Sequence, residues 1–183
     1  MKSFISRTQR NTIATLSFIA AISAAGFAQA ATSLPGGASS LTETYSNWTV
    51  TCLVQAQGDA KNVACSMSQQ QVDENKQRAL AVELSPAGDG VNGIMMLPFG
   101  LNLAAGSVLQ IDETKADKAR PFSTCLPAGC IIPVNFDASK ADALGKGKNL
   151  SVLAQAIGGN DIKLNVPLDG FADALKRTRE LLK

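Results

Sequence analysis

Four cysteines, Cys52, Cys65, Cys125 and Cys130, are the residues of this 183-residue chain with the clearest capacity for chemistry. The later pair has the spacing C-x4-C, with Leu126-Pro127-Ala128-Gly129 between the thiols. A dithiol oxidoreductase usually carries C-x-x-C at a helix start, where the dipole lowers the thiol pKa. Here Ile131-Ile132-Pro133-Val134 follows and reads as a strand, so structural bridges are expected and a working redox pair is the alternative. Four cysteines allow three connectivities. Local pairing, Cys52 with Cys65 and Cys125 with Cys130, is the most economical. By chain entropy such loops contribute on the order of 3 and 2 kcal/mol respectively. Histidine is absent, which removes the commonest general base and the commonest metal ligand together. Ser-His-Asp and Cys-His enzymes are excluded, as is any zinc site that needs imidazole. Adjacent carboxylates occur at Asp73-Glu74 and Asp112-Glu113, but neighbouring strand residues point to opposite faces and make no acid/base pair. Asp112-Glu113 reads as a solvated turn. The expectation is therefore no catalytic residue, no cofactor and no metal.

The compartment follows from the first thirty residues. Lys2, Arg7 and Arg10 precede an apolar stretch from Ile13 to Ala25, and Ala28-Gln29-Ala30 supplies small residues before Ala31. This order describes a signal peptide over residues 1–30. Thirteen residues reach only about 20 Å as a helix, against a hydrocarbon core of about 30 Å, so a membrane anchor is disfavoured. Without that segment the formal charge of +2 becomes −1, with 14 basic against 15 acidic residues. A nucleic-acid partner is disfavoured on that balance. An even number of cysteines in an oxidising compartment agrees with disulfides and with a periplasmic or secreted protein.

The elements that must position the cysteines are mostly strands. Residues 31–45 are small, polar and Gly/Pro-containing at their start, and are expected as a flexible leader. Residues 46–183 are expected as a single disulfide-stapled domain. Trp48, Val50 and Cys52 alternate with Thr49 and Thr51, and Val63, Cys65 and Met67 repeat the pattern before a polar tract, Gln69-Gln70-Gln71. Further runs lie at 78–85, 91–97, 107–112, 130–136, 150–157 and 161–166, separated by turn residues such as Gly88-Asp89-Gly90 and Gly158-Gly159-Asn160. Short strands at this spacing argue for a sandwich or barrel. Asp137 to Leu144 reads as a short capped helix stopped by Gly145, and Asp169 to Lys183 as a C-terminal helix with Phe171, Leu175, Thr178 and Leu182 on one stripe. The Leu97-Pro98-Phe99-Gly100 corner is expected to carry the chain between sheets with Phe99 buried.

Several of these features occur in an order that resembles a known family. They are Trp48-x-Val50-x-Cys52, Cys65-x-Met67-x-Gln69, Leu97-Pro98-Phe99-Gly100-Leu101-x-Leu103, Gly106-x-Val108-Leu109-x-Ile111-Asp112, Pro121-Phe122-x-x-Cys125-x-x-x-Gly129-Cys130 and Pro167-Leu168-x-Gly170-Phe171-x-x-Ala174-Leu175. Together they resemble the invasion-associated locus B family of exported bacterial proteins. The resemblance implies an immunoglobulin-like antiparallel β-sandwich, an envelope or secreted location in Gram-negative bacteria, and in some members an association with entry into host cells. It supplies no catalytic residue, cofactor or mapped receptor.

The function expected on these grounds is a non-enzymatic interaction protein of the bacterial envelope, with a protein or cell-surface partner. The alternative readings are a periplasmic thiol-disulfide factor working through Cys125 and Cys130, and a chaperone or assembly factor that pairs a strand edge with a client.

Overall fold

Alternating apolar and polar residues generate most of the architecture. The computed structural model describes residues 33–57 and 60–183. Within them run β1 (Ser40–Tyr45), β2 (Trp48–Gln57), β3 (Ala60–Val72), β4 (Arg78–Ala87), β5 (Gly90–Leu97), β6 (Ser107–Ile111), β7 (Thr124–Leu126), β8 (Gly129–Phe136), α1 (Ala138–Lys146), β9 (Asn149–Gln155), β10 (Asp161–Pro167) and α2 (Phe171–Leu181). Seven strands form one sheet in the order β1-β2-β3-β4-β5-β8-β7, and β10-β9-β6 form a second. Every pairing within them is antiparallel. The expected all-β sandwich with two helices is the observed fold.

Register shows how the core face arises. Val50 lies opposite Met67, Met67 opposite Leu84, Leu84 opposite Gly93, and Gly93 opposite Val134, a row that crosses five strands. Because side chains alternate in direction, the residues two places along join the same face. The facing layer is composite. Helix α2 packs on β1 to β4 and α1 on β5 and β8, while the three-stranded sheet adds Leu109, Val152 and Val166 to the same buried cluster. Trp48 meets Phe171 of α2 edge-on, with ring centroids 5.2 Å apart, a favoured aromatic geometry.

Helix boundaries follow their caps. The Asp137 carboxylate accepts from the Lys140 N–H at 2.8 Å and starts α1, satisfying a backbone donor that the helix leaves free. The helix does not stop at Gly145 as expected. It runs to Lys146, with Gly147 closing it through an N–H to Ala143 O bond. On α2 the buried residues are Phe171, Ala174, Leu175, Thr178 and Leu181, so the stripe is shifted from Leu182 to Leu181.

One further expectation is corrected. The stretch read as a flexible leader holds β1, paired with β2 from Ser40↔Leu53 to Tyr45↔Trp48, and Leu34 is buried. Its polar composition concealed the strand because an edge strand needs only one half-buried face. Glu43 sits on that face and is held by Arg177 of α2 at 2.7 and 2.9 Å, with the Tyr45 hydroxyl donating to it at 2.8 Å. The Arg177 hydrogen bond holds the Glu43 carboxyl below its ordinary pKa. The polar tract Gln69-Gln70-Gln71 lies inside β3. The buried Gln69 donates from Nε2 to Pro167 O at 2.9 Å, Trp48 Nε1 donates to the same carbonyl at 3.3 Å, and Gln71 donates to Gln69 Oε1 at 2.6 Å. This buried polar chain ties the large sheet to the end of β10, and its members are satisfied as burial requires. The signal peptide expected over residues 1–30 lies outside the described residues.

Candidate functional site

The four cysteines form two pairs, Cys52–Cys65 and Cys125–Cys130, with Cα separations of 4.1 and 3.9 Å. In each pair the partners are directly opposite across an antiparallel ladder, Cys52↔Cys65 between β2 and β3 and Cys125↔Cys130 between β7 and β8. Both bridges therefore reinforce strand pairing that the backbone already makes. Their surroundings differ. Cys52 and Cys65 belong to the main hydrophobic cluster, whereas Cys125 is exposed and only Cys130 is buried. Neither cysteine of the second pair lies at a helix N-terminus, the arrangement that lowers a thiol pKa.

The adjacent carboxylates serve the backbone. Asp112, at φ 46°, accepts from the N–H groups of Lys148 and Asn149 at 3.1 and 2.8 Å, fastening the end of β6 to the start of β9. Asp73 accepts from the Gln77 N–H at 2.8 Å in the β3–β4 turn. Among the described residues no three Cys, Asp or Glu side chains gather as a metal site would require.

The surface that combines shape with unusual chemistry lies around the second bridge. Strand β7 has only three residues, all exposed, and turns through Pro127-Ala128 into β8. Gly129 has φ 140°, and a Cβ there would stand 2.5 Å from Leu97 O, so only glycine lets the hairpin lie against the end of β5. Arg78 Nη2 donates to Ala128 O at 2.6 Å and steadies the turn. From Leu97 the chain passes through Pro98-Phe99-Gly100 into the second sheet, as expected. Phe99, however, is 60% exposed, a correction to its expected burial. Leu97 and Leu101 on either side fill the core instead, and Gly100 at φ 85° turns the chain so that the ring between them faces outward.

A third loop joins this end. Leu101 bridges to Ala156, Ile157 N–H donates to Gly100 O at 2.9 Å, and Asn102 N–H donates to Gln155 O at 2.7 Å. Ile157 is 78% exposed, Phe99 60%, Leu126 46% and Leu103 43%. Phe99, Leu103 and Ile157 thus lie on two joined loops, and Leu126 ends β7 in the hairpin that lies against the start of the first. The segments 98–111, 121–136 and 149–160 contain no Asp, Glu, Lys or Arg. That absence of charge is a sequence signal for the surface, but the contacts between loops about 30 residues apart are not legible in it.

The fold and this end define a class: a disulfide-braced, all-antiparallel β-sandwich whose most distinctive surface is an uncharged cluster of loops closed by one of its bridges. Residues 48–179 match the family model described as invasion associated locus B (IalB) protein. The chain is 46% identical over 156 residues to an invasion protein B homolog of Brucella abortus, a match covering 84% of this chain and 87% of that one. It is 38% identical over 181 residues to invasion protein B of Bartonella bacilliformis, covering 92% and 95% respectively. The crystal structure of invasion associated protein b from Bartonella henselae superposes with a TM-score of 0.70 at 34% identity, covering 77% of this chain and 96% of that one. The chain belongs to the invasion associated locus B family. The names of these relatives indicate no catalysis. Among the described residues no helix is long and apolar enough to cross a membrane, and this, with two disulfides, is compatible with an exported protein.

Proposed function

We propose that this protein is exported, by way of a cleaved signal peptide at residues 1–30, into the periplasm or beyond, and acts there without catalysis by binding a cell-surface partner during host-cell invasion. The observation that carries this reading is the match of most of the chain to proteins named for invasion. The two bridges support export, since such bonds persist in oxidising compartments. The disulfide-closed hairpin at Cys125–Cys130 and the exposed apolar side chains of Phe99, Leu103, Leu126 and Ile157 support binding as the mode of action.

Deletion of the gene, followed by complementation, tests the reading in a host-cell entry assay. Entry should fall on deletion and return with the wild-type chain, but not with a chain lacking residues 2–30. Equal entry by the deletion strain, or rescue by the leaderless chain, would overturn it.

The exposure of Cys125 beside the buried Cys130 favours one second reading, a thiol-disulfide factor, because an accessible sulfur can be attacked while its partner is shielded. Cys130→Ser would then trap mixed disulfides between Cys125 and client proteins after acid quenching. On the binding reading that variant yields no client-specific adducts.

A further inference from the structure

We propose that β1 is a docking edge for a second copy of this chain, the two β1 strands pairing antiparallel about Thr42 so that the seven-stranded sheets of two copies become one. The inference stands apart from the export and invasion readings above. It begins from the direction of the backbone. Val54 N–H donates to Ser39 O at 2.9 Å. By the alternation of an antiparallel ladder, Leu41, Glu43 and Tyr45 then direct their backbone groups to β2, and Ser40, Thr42 and Thr44 direct theirs away from it. Among the described residues β1 has β2 as its single neighbour, and no other backbone group bonds to those three. All three are exposed. The other sheet edges are closed. The loop after β6 covers that strand, with Ser107 and Arg120 exchanging backbone bonds at 2.9 and 2.7 Å and Asp117 N–H donating to Leu109 O at 2.8 Å. Strand β7 is three residues long. Strand β10 exposes Asp161 and Lys163 and ends in Pro167, whose carbonyl is taken by Trp48 and Gln69. Short edges, charges, prolines and covering loops are how sheets avoid pairing with other chains. Strand β1 holds no Lys, Arg or Pro, and its register against β2 is unbroken.

The one charge on β1 does not blunt it. Glu43 lies on the face that α2 covers, where its carboxylate accepts from Arg177 Nε and Nη2 at 2.7 and 2.9 Å and from the Tyr45 hydroxyl at 2.8 Å. Glu180 of α2 stands 3.7 Å from the same guanidinium. Glu43 is thus paired within its own copy and needs no water from the edge. The strand also fits itself. With Thr42 on a two-fold axis, it faces Thr42 of the second copy and exchanges both backbone bonds with it. Ser40 then faces Thr44 and Leu41 faces Glu43, so no like charges stand directly opposite, and the hydroxyl pairs are favourable cross-strand neighbours. A two-fold axis uses the same patch on both copies. Helix α2 packs chiefly on β2 and β3, set back from the edge, which leaves room for the added strand. A foreign strand would need pockets to select its alternate side chains. Beside this edge the open face presents Thr49, Thr51 and Leu53 of β2, short side chains that distinguish one peptide poorly from another.

The test combines sedimentation equilibrium with amide hydrogen exchange, on folded protein with both disulfides formed. A strand-edge interface is small, so the dimer should be reversible. From micromolar to millimolar concentration the wild-type chain should pass from monomer to dimer. The Ser40, Thr42 and Thr44 amides should slow as it does, while the outward amides of β10, Asp161, Lys163 and Asn165, keep their rates. Thr42→Pro removes an outward N–H from each copy and leaves the bonds to β2, and should weaken association at least about tenfold. Circular dichroism checks that this variant folds. Thr42→Lys keeps the N–H and sets like charges opposite each other at the axis, so it should weaken the dimer as well, with added salt restoring part of the loss. Lys163→Pro, on the β10 edge, should leave association unchanged. A wild-type chain that stays monomeric at millimolar concentration would overturn the proposal. So would a dimer that both Thr42 variants leave intact, or one whose slowed amides lie outside β1.

Discussion

The two disulfides share one construction and serve different regions. Both join directly opposed residues of neighbouring antiparallel strands. Cys52–Cys65 lies in the buried cluster, on the face where Trp48 packs against Phe171. Cys125–Cys130 lies at the edge of the sheet, where β7 is three residues long and exposed. A bridge in the core adds to interactions that would hold the strands in place without it. A bridge at a short edge hairpin substitutes for interactions that are missing. The same covalent device is thus a brace for the fold in one region and a means of keeping a surface in shape in the other.

Several measurements would break or sharpen that contrast. The largest effect should come from the packing around the core bridge: Trp48→Ala is expected to lower unfolding stability by about 3–5 kcal/mol, read by urea denaturation. Next, replacing Cys52 and Cys65 together by Ala should lower it by about 3 kcal/mol across the whole transition. Replacing Cys125 and Cys130 by Ser should cost at most about 2 kcal/mol by the same chain-entropy argument. Its main sign should be local, with faster amide exchange and proteolysis at residues 124–129 while exchange in β2 and β3 is unchanged. Equal loss of protection in both regions would mean that the hairpin is part of the cooperative core, and the contrast would fail.

The smallest effect concerns acid and the clamp between β1 and α2. Hydrogen bonding from Arg177 lowers the Glu43 pKa from its ordinary value of 4.5. The ion pair therefore contributes fully above that value, and its contribution is lost as pH falls below it through the folded-state pKa. Both side chains are partly solvated, so the contribution is small. The urea midpoint of the wild-type chain should fall more steeply below pH 4.5 than that of Glu43→Gln. Identical slopes would show that the clamp carries no linkage.

Legibility differed between elements for physical reasons. Strands β2, β3, β4 and β10 were readable because burial on one face imposes alternation that a local window detects, and β5 as a short apolar run bounded by turn residues. Strand β1 was not, since its buried face carries Glu43 and Tyr45, whose place depends on Arg177 134 positions away. The burial of Gln69, within a polar tract, likewise depends on Pro167 O, 98 positions on, being brought within hydrogen-bonding distance. Phe99 misled in the opposite direction. Its apolar ring suggested burial, yet the adjoining Leu97 and Leu101 occupy the core and leave the ring outside.

Local chemistry alone was enough to specify the all-β class, the two helices, the local cysteine pairs as the most economical connectivity, and the exclusion of histidine-dependent catalysis. These follow from residue type and from separations within a strand, a turn or a cap. The meeting of the 98–106, 126–129 and 156–160 loops was decided by the sandwich itself. Strand order places the end of β5 beside the start of β8, the Leu101–Ala156 bridge between the sheets brings in the end of β9, and both are set by the burial of faces summed over the whole chain, which no short stretch encodes.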